Sequence, residues 1–335
     1  MSYLARSASL TNYIEISRSV GINPYVHLND AGIDRSALLD PDTKIPTKAI
    51  VRLLEDSAKA AQVDDFGLRM AETRELSNLG ALSVFVWKTP TLRKTLEGIA
   101  HYQQLQNEAI SMRLEEREGI AIIREEIMGG HGSSLSQSMQ LITGVRYRML
   151  KTFLGDAWKP RNVCFVQRAP ANREVFTRLF GASAVFNQDF DGIVCLASDL
   201  DNAMPSYDPI MESQTRQYLD TKLAHSKLTT SDRVKTLIVS LLPSGTCSAE
   251  QIAQRLGLEV RTLQRHLREE TYSSILDGVR AELAIGYIEN PERPLSDVAS
   301  LLGFSSLSAF SRWFGIRFGC SVSKWRRIHL DRAEQ

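Results

Sequence analysis

The chain of 335 residues is poor in the features that announce an enzyme, a metal protein or a membrane protein. Its four cysteines, Cys164, Cys195, Cys247 and Cys320, never form a C-x-x-C pair. Neither a zinc ribbon nor a disulfide framework is indicated, and a reducing cytoplasm is the expected setting. The six histidines, at 27, 101, 131, 225, 266 and 329, never fall three or four apart, which removes the helix-borne arrangement of metal ligands. No metal and no other cofactor is expected. A G-x-S-x-G elbow is missing, and G-G-H-G-S-S at 129–134 lacks the full spacing of a phosphate-cradling loop, so it reads as a flexible connection. Cys164 and Cys195 sit in apolar runs, where a buried structural thiol is expected. With no run of about 18 apolar residues and no basic segment leading into an apolar core, neither a membrane span nor a signal peptide is expected. Strong charge of one sign is also lacking. The net charge is +1, split as 15 Lys and Arg against 12 Asp and Glu from Lys227 onward, and 25 against 27 before it. Charge alone identifies no polyanionic partner.

What is present is a pattern that occurs twice. From Ser248 to Leu267 the sequence reads S-A-E-Q-I-A-Q-R-L-G-L-E-V-R-T-L-Q-R-H-L. Ser248 is a good N-cap with Gln251 placed to answer it, Ile252, Ala253 and Leu256 form a narrow apolar face, and Gly257 supplies the positive φ that ends the helix. In the next helix Val260, Leu263 and Leu267 point one way and leave Arg261, Gln264, Arg265 and Arg268 outward. The second copy, from Ser296 to Phe314, has Ser296 as its expected N-cap. Val298, Ala299 and Leu302 form its inner face and Gly303 its turn, while Phe310 and Phe314 anchor the following helix. Leu307, Ser308, Ser311 and Arg312 are left outward. The two turns lie 46 residues apart, room for a connecting helix over 274–289. Arg matches the O6/N7 edge of guanine, Gln the N6/N7 edge of adenine, and a protruding helix fits the major groove.

With these residues in view, the stretch from Ser231 to Arg327 resembles the C-terminal DNA-binding domain of AraC/XylS-type transcription regulators. The resemblance is carried by I-A-Q-R-L-G and T-L-Q-R-H-L, by V-R-A-E-L-A at 279–284, by L-S-D-V-A-S-L-L-G-F at 295–304 and by F-S-R-W-F at 310–314. It implies two helix-turn-helix units, over 248–269 and 296–318, joined by a long helix and entering successive major grooves roughly 34 Å apart. It also implies that Arg261, Gln264, Arg265, Arg268, Leu307, Ser308, Ser311 and Arg312 face DNA. The chain departs from the family pattern at Tyr272, where Gly is usual, at Gly315, where Lys or Arg is usual, and at Val322, where Pro is usual. The second departure removes one expected phosphate contact.

The first 205 residues predict an α+β domain. Helical spacing is expected over Leu10 to Val20, Thr47 to Ala61 and Leu135 to Leu154, with a further helix opened by Thr89 and Pro90 as N-cap and first residue. Period-two alternation around Glu118-Gly119 predicts a β-hairpin, and 163–166, 184–186 and 193–196 predict short strands around a helix over 173–180, in an antiparallel or mixed sheet. The phrases G-L-R-M-A-E, L-G-A-L-S and T-P-T-L-R-K-T-L are similar to the arabinose-binding N-terminal domain of the same family. The family label names no ligand, and a cupin barrel does not follow from it. Residues 206–230 read as a linker helix and hinge, and 231–330 as the all-α DNA-binding domain. Trp87, His101, Tyr102, Arg146 and Tyr147 are the candidate ligand-orienting side chains of the first domain. Glu115, Glu116, Arg117 and Glu118 read as a solvated hairpin end. The expected protein is a non-enzymatic, sequence-specific DNA-binding regulator of the activator type, with promoter DNA, RNA polymerase, a small effector and a second copy of itself as partners. The alternative is a regulator whose first domain serves dimerisation or protein interaction without a ligand.

Overall fold

A computed structural model describes residues 3–128, 135–225, 229–245, 247–267, 270–288 and 293–330. The chain divides into two compact units, Met1–Ser226 and Lys227–Gln335. The expected loop at 129–134, Arg268 and Glu289 lie outside the described residues, as does part of the expected hinge. Among the described residues no helix is long and apolar enough to cross a membrane.

In the first unit the helices are α1 (Tyr13–Ser19), α2 (Pro24–Asp30), α3 (Thr47–Ala61), α4 (Phe66–Glu72), α5 (Ala81–Lys88), α6 (Leu92–Gln106), α7 (Ser136–Leu154), α8 (Glu174–Phe180) and α9 (Pro209–Ala224). The strands are β1 (Leu4–Arg6), β2 (Lys44–Pro46), β3 (Ile110–Arg117), β4 (Ile120–Ile127), β5 (Asn162–Cys164), β6 (Ala184–Val185) and β7 (Asp191–Leu196). Strands β1 and β2 form a small antiparallel pair that the sequence did not suggest. The main sheet is mixed, in the order β3-β4-β7-β5-β6, with β5 and β6 its parallel pair. The β3–β4 hairpin turns on two residues, Glu118 (φ 53°) and Gly119 (φ 77°), the positive-φ pair a two-residue connection needs. Ala121, Ile123 and Glu125 alternate into the interior from β4, and the long helix α7 covers that face.

Several sequence expectations shift here. The first helix begins at Tyr13, not Leu10, because residues 7–10 form a short tight turn of their own. The cap of α6 is Thr91, whose hydroxyl accepts from Lys94 N–H at 3.3 Å; Thr89 is turned inward onto the Thr95 hydroxyl. Helix α9, expected as a linker, packs on α5 and α6 with Leu219 buried, so the first unit runs on past residue 205. Close approach of α4 and α7 explains two glycines. A Cβ on Gly67 would lie 1.9 Å from the Gln137 carbonyl, and one on Gly144 would lie 2.6 Å from the Ala71 methyl. Cys164 and Cys195 are buried in the sheet, and burial pushes their thiols up to about 11 and about 12.

The second unit is all helical: α10 (Thr230–Leu241), α11 (Ala249–Arg255), α12 (Val260–Leu267), α13 (Tyr272–Ile288), α14 (Leu295–Leu301), α15 (Leu307–Phe318) and α16 (Val322–Leu330). Helices α10 and α16 were not anticipated as elements. The core of the first half is aliphatic, with Val234, Ile238, Leu242, Ile252, Leu263, Ile275 and Val279 all buried. That of the second half is aromatic: Phe310 and Phe314 are fully buried among Phe304, Trp313 and Phe318.

Candidate nucleic-acid interface and interior cavity

The turn between α11 and α12 and the turn between α14 and α15 have the same hydrogen bonds. Gly257 N–H donates to the Gln254 carbonyl (3.1 Å) and Leu258 N–H to that of Ala253 (2.9 Å). Gly303 N–H donates to Ser300 (2.9 Å) and Phe304 N–H to Ala299 (2.9 Å). Each glycine is left-handed, at φ 68° and 67°, and each closes a Schellman motif that satisfies the last carbonyls of its helix. Ser248 caps α11 as expected, its hydroxyl accepting from Gln251 N–H. Ser296 does not cap α14; the helix already begins at Leu295 after Pro294, and the Ser296 hydroxyl bonds Asp297 instead.

On α12, Leu263 and Leu267 are buried while Arg261, Gln264 and Arg265 are exposed. The spacing i, i+3, i+4 places those three on one side of the helix. On α15, Ser306 caps the N-terminus by accepting from Ala309 N–H, and Leu307, Ser308, Ser311 and Arg312 are exposed opposite the buried phenylalanines. Arg268, the eighth candidate, is outside the described residues. Ile316, 82% exposed, continues the Ser308–Arg312 stripe by one more i+4 step. The sequence signal for it was that same step, passed over because an isoleucine there reads as core.

Helix α13 holds the second turn. Arg280 donates through Nε to the Leu302 carbonyl (2.9 Å) and through Nη2 to that of Gly303 (3.1 Å), with its guanidinium 4.3 Å over the Phe304 ring. Asp277, one turn earlier, accepts from Trp313 Nε1 and faces Arg317 of α15. These contacts explain why V-R-A-E-L-A accompanies a helix-turn-helix at a distance. The departures from the family pattern also gain a structural reading. Tyr272 opens α13 and donates to the Cys247 carbonyl (2.8 Å), tying that helix to the segment ahead of α11. Val322 is buried at the first position of α16, where a proline would also fit. Gly315 has open space around it.

The first unit contains a cavity of about 400 Å³ between α3, α6, α7 and the segment after β1. Of the five side chains singled out from sequence, Trp87 and Arg146 line it. The other three lie elsewhere. His101 is half-exposed, 3.9 Å from Asp220, and Tyr102 donates to the same carboxylate at 2.6 Å; both pack on α9 instead of entering the cavity. Burial holds His101 below the usual imidazole range. Tyr147 belongs to the aromatic core, edge-on to Phe180. The hairpin-end charges are paired: Glu115 with Arg124 and Glu116 with Arg93. Arg6, Arg74 and Arg148 line the cavity too and were missed. Their signal was faint: on α7, Arg146 and Arg148 stand among the apolar positions Leu141, Ile142, Val145 and Met149. Arg146 is buried against Glu125 (2.7 Å), whose carboxyl is pushed up by burial against the pull of that guanidinium.

An all-helical unit with two matching helix pairs, following a mixed α/β unit that carries a cavity, is the arrangement of a transcription regulator with a separate N-terminal domain. A model of the arabinose-binding domain of AraC transcription regulators matches residues 21–204, and a helix-turn-helix domain model matches 252–328. The chain belongs to the AraC family, a family of DNA-binding transcription regulators and not of enzymes. It is 29% identical over 322 residues to the HTH-type transcriptional regulator VirS of Mycobacterium tuberculosis, covering 93% of this chain and 94% of that one. It is 27% identical over 254 residues to the ornithine utilization regulator of Pseudomonas aeruginosa, 74% of each chain. Among solved structures it is similar to the transcriptional regulator CdpR from Pseudomonas aeruginosa, at 16% identity and a TM-score of 0.45 over 91% of this chain and 96% of that one.

Proposed function

We propose that the protein is an effector-controlled activator that reads promoter DNA with α12 and α15 and recruits RNA polymerase. The observation that carries the DNA reading is the pair of matched turns, each followed by a helix whose polar side is free of packing. Arg261 and Arg265 suit guanine edges, Gln264 an adenine edge, and Leu307 a thymine methyl. Ser308 and Ser311 suit either base edges or phosphate, and Arg312 a guanine or a phosphate. Arg268 belongs to the same row by its position in the sequence. The cavity of the first unit supports the effector, whose binding shifts the population between promoter-competent and incompetent states.

The test is thermal unfolding of the full chain against amino acids, polyamines, alcohols, aromatic acids, fatty acids and sugars, followed by promoter footprinting with any hit. Binding to the native state alone adds about 2.7 kcal/mol at 100 Kd, enough to raise the midpoint visibly. A class that raises it and alters the footprint supports the reading; a folded protein with a flat panel and an effector-independent footprint counts against it. A second reading, that the first unit serves self-association, is favoured by α9. Ile210, Met211 and Tyr218 are 69%, 38% and 49% exposed there. Dimer mass retained in an Ile210→Glu, Tyr218→Glu variant would remove it.

A further inference from the structure

We infer that the cavity of the first unit takes an organic monocarboxylate with an apolar body, the carboxylate seated between Arg74 and Arg148. The inference rests on the effector reading above and names the chemistry of that effector.

Among the described residues four guanidiniums line the cavity. Two are already matched by carboxylates: Arg6 by Asp42 at 2.6 Å and Arg146 by Glu125 at 2.7 Å. Arg74 and Arg148 have no carboxylate within ion-pair reach among the described residues. Arg74 is 6% exposed and donates to the backbone carbonyls of Ala8 and Ser9, and burial pulls its guanidinium down to about 10. Arg148 donates through Nη2 to the Arg74 carbonyl at 3.3 Å, which sets the two residues side by side, while its buried Nε has no partner. Glu75 is the single acidic residue of the lining among the described residues, and it is exposed. A buried cation without a counter-charge is costly, and a carboxylate meets the planar guanidinium fork with two parallel bonds.

The body of the ligand follows from the walls. Along α7 the cavity runs from Ser138 past Leu141, Ile142 and Val145 to Arg148, about 15 Å at 1.5 Å per residue. Ile50 and Leu54 face this row from α3. A sugar would bring hydroxyls against this aliphatic row of α7 and α3, which offers them no partners and makes that stretch unfavourable for it. The Ser138 hydroxyl, buried and unpartnered, marks the far end.

The experiment uses the full chain and measures thermal midpoints and calorimetric binding for octanoate, octanol and octylamine, and for phenylbutyrate with its alcohol and amine. At least one carboxylate should bind ten-fold or more tighter than its matching alcohol, and the amines should not bind. Arg148→Gln should reduce carboxylate affinity at least ten-fold and leave alcohol binding unchanged, whereas Arg148→Lys should keep most of the preference. Val145→Trp, which fills the channel, should abolish binding by every probe. Equal affinity for acid and alcohol, preference for an amine, indifference to Arg148→Gln, or no binding by either carboxylate would each overturn the inference. In any of these cases a midpoint raised by another class of compound would leave the effector reading standing.

Discussion

The two helix-turn-helix copies share the same two bonds at the glycine turn and differ in what surrounds it. Gly257 faces open space, and its copy is built on an aliphatic core with a strongly cationic outer row. Gly303 is enclosed: a Cβ there would lie 2.9 Å from the Leu242 carbonyl, and Arg280 grips the carbonyls beside it. Local backbone chemistry fixes the motif, while tertiary packing decides how rigidly it is held. The first copy is the freer and more charged reader, and the second is the stiffer one, with small polar side chains around a single arginine.

That contrast is broken most directly at the glycines. Left-handed backbone with a Cβ costs roughly 1–2 kcal/mol, so Gly257→Ala should lose about that much in chemical denaturation. Gly303→Ala adds a collision with backbone that cannot move aside, and should lose about 3 kcal/mol. Equal losses would mean that the enclosure of the second turn has no energetic weight.

Arg280 offers the next largest effect. Arg280→Ala removes two charge-assisted hydrogen bonds and a ring contact, an expected loss of about 2–3 kcal/mol. Hydrogen exchange should quicken in α14 and α15 more than in α11 and α12. Arg280→Lys should restore little of it, because an ammonium cannot both stack on Phe304 and bond two carbonyls. Uniform quickening across the unit would argue that α13 serves both copies alike.

The outer rows sharpen the comparison at the level of DNA. Arg265→Ala should weaken specific binding by about 1–3 kcal/mol and relax preference in one half of the operator, and Arg312→Ala should do so in the other half. Both are read by binding to an operator mutated position by position. If Arg312→Ala weakens every sequence equally and lowers the salt slope by about 0.9, it contacts a phosphate and the second copy reads mostly shape.

How far the sequence reached follows the same division between local and distant causes. Helix α3, the β3–β4 hairpin and both Schellman turns were legible because their signals sit within a few residues: an apolar period, a Glu-Gly turn, a glycine after Ala-x-x-Leu. The cap of α6 was misplaced by two residues because Thr89 and Thr91 are equally good caps, and only the inward bond to Thr95 chooses between them. Three of five candidate ligand residues missed the cavity, since aromatic and polar side chains mark a pocket no better than a core. Arg74 and Arg148 escaped notice because their meaning comes from the carboxylates that are not beside them, a fact about three dimensions. The outer rows of α12 and α15 were readable, being the complement of a buried period.

The smallest expected effect lies at Gly315, on the half-exposed flank of α15. A glycine inside a helix costs roughly 0.5–1 kcal/mol relative to alanine, and nothing stands within 4 Å of where a side chain would begin. Gly315→Ala should therefore stabilise the protein by about 0.5–1 kcal/mol and leave DNA affinity unchanged. Gly315→Lys should keep most of that gain and add a phosphate contact, steepening the salt dependence of binding by about 0.9 in the slope. The two substitutions separate helix propensity from charge. A lysine that stabilises without changing the salt slope would show that this flank of α15 turns away from the duplex, and the second reading helix would then have to be rotated about its axis toward Ile316.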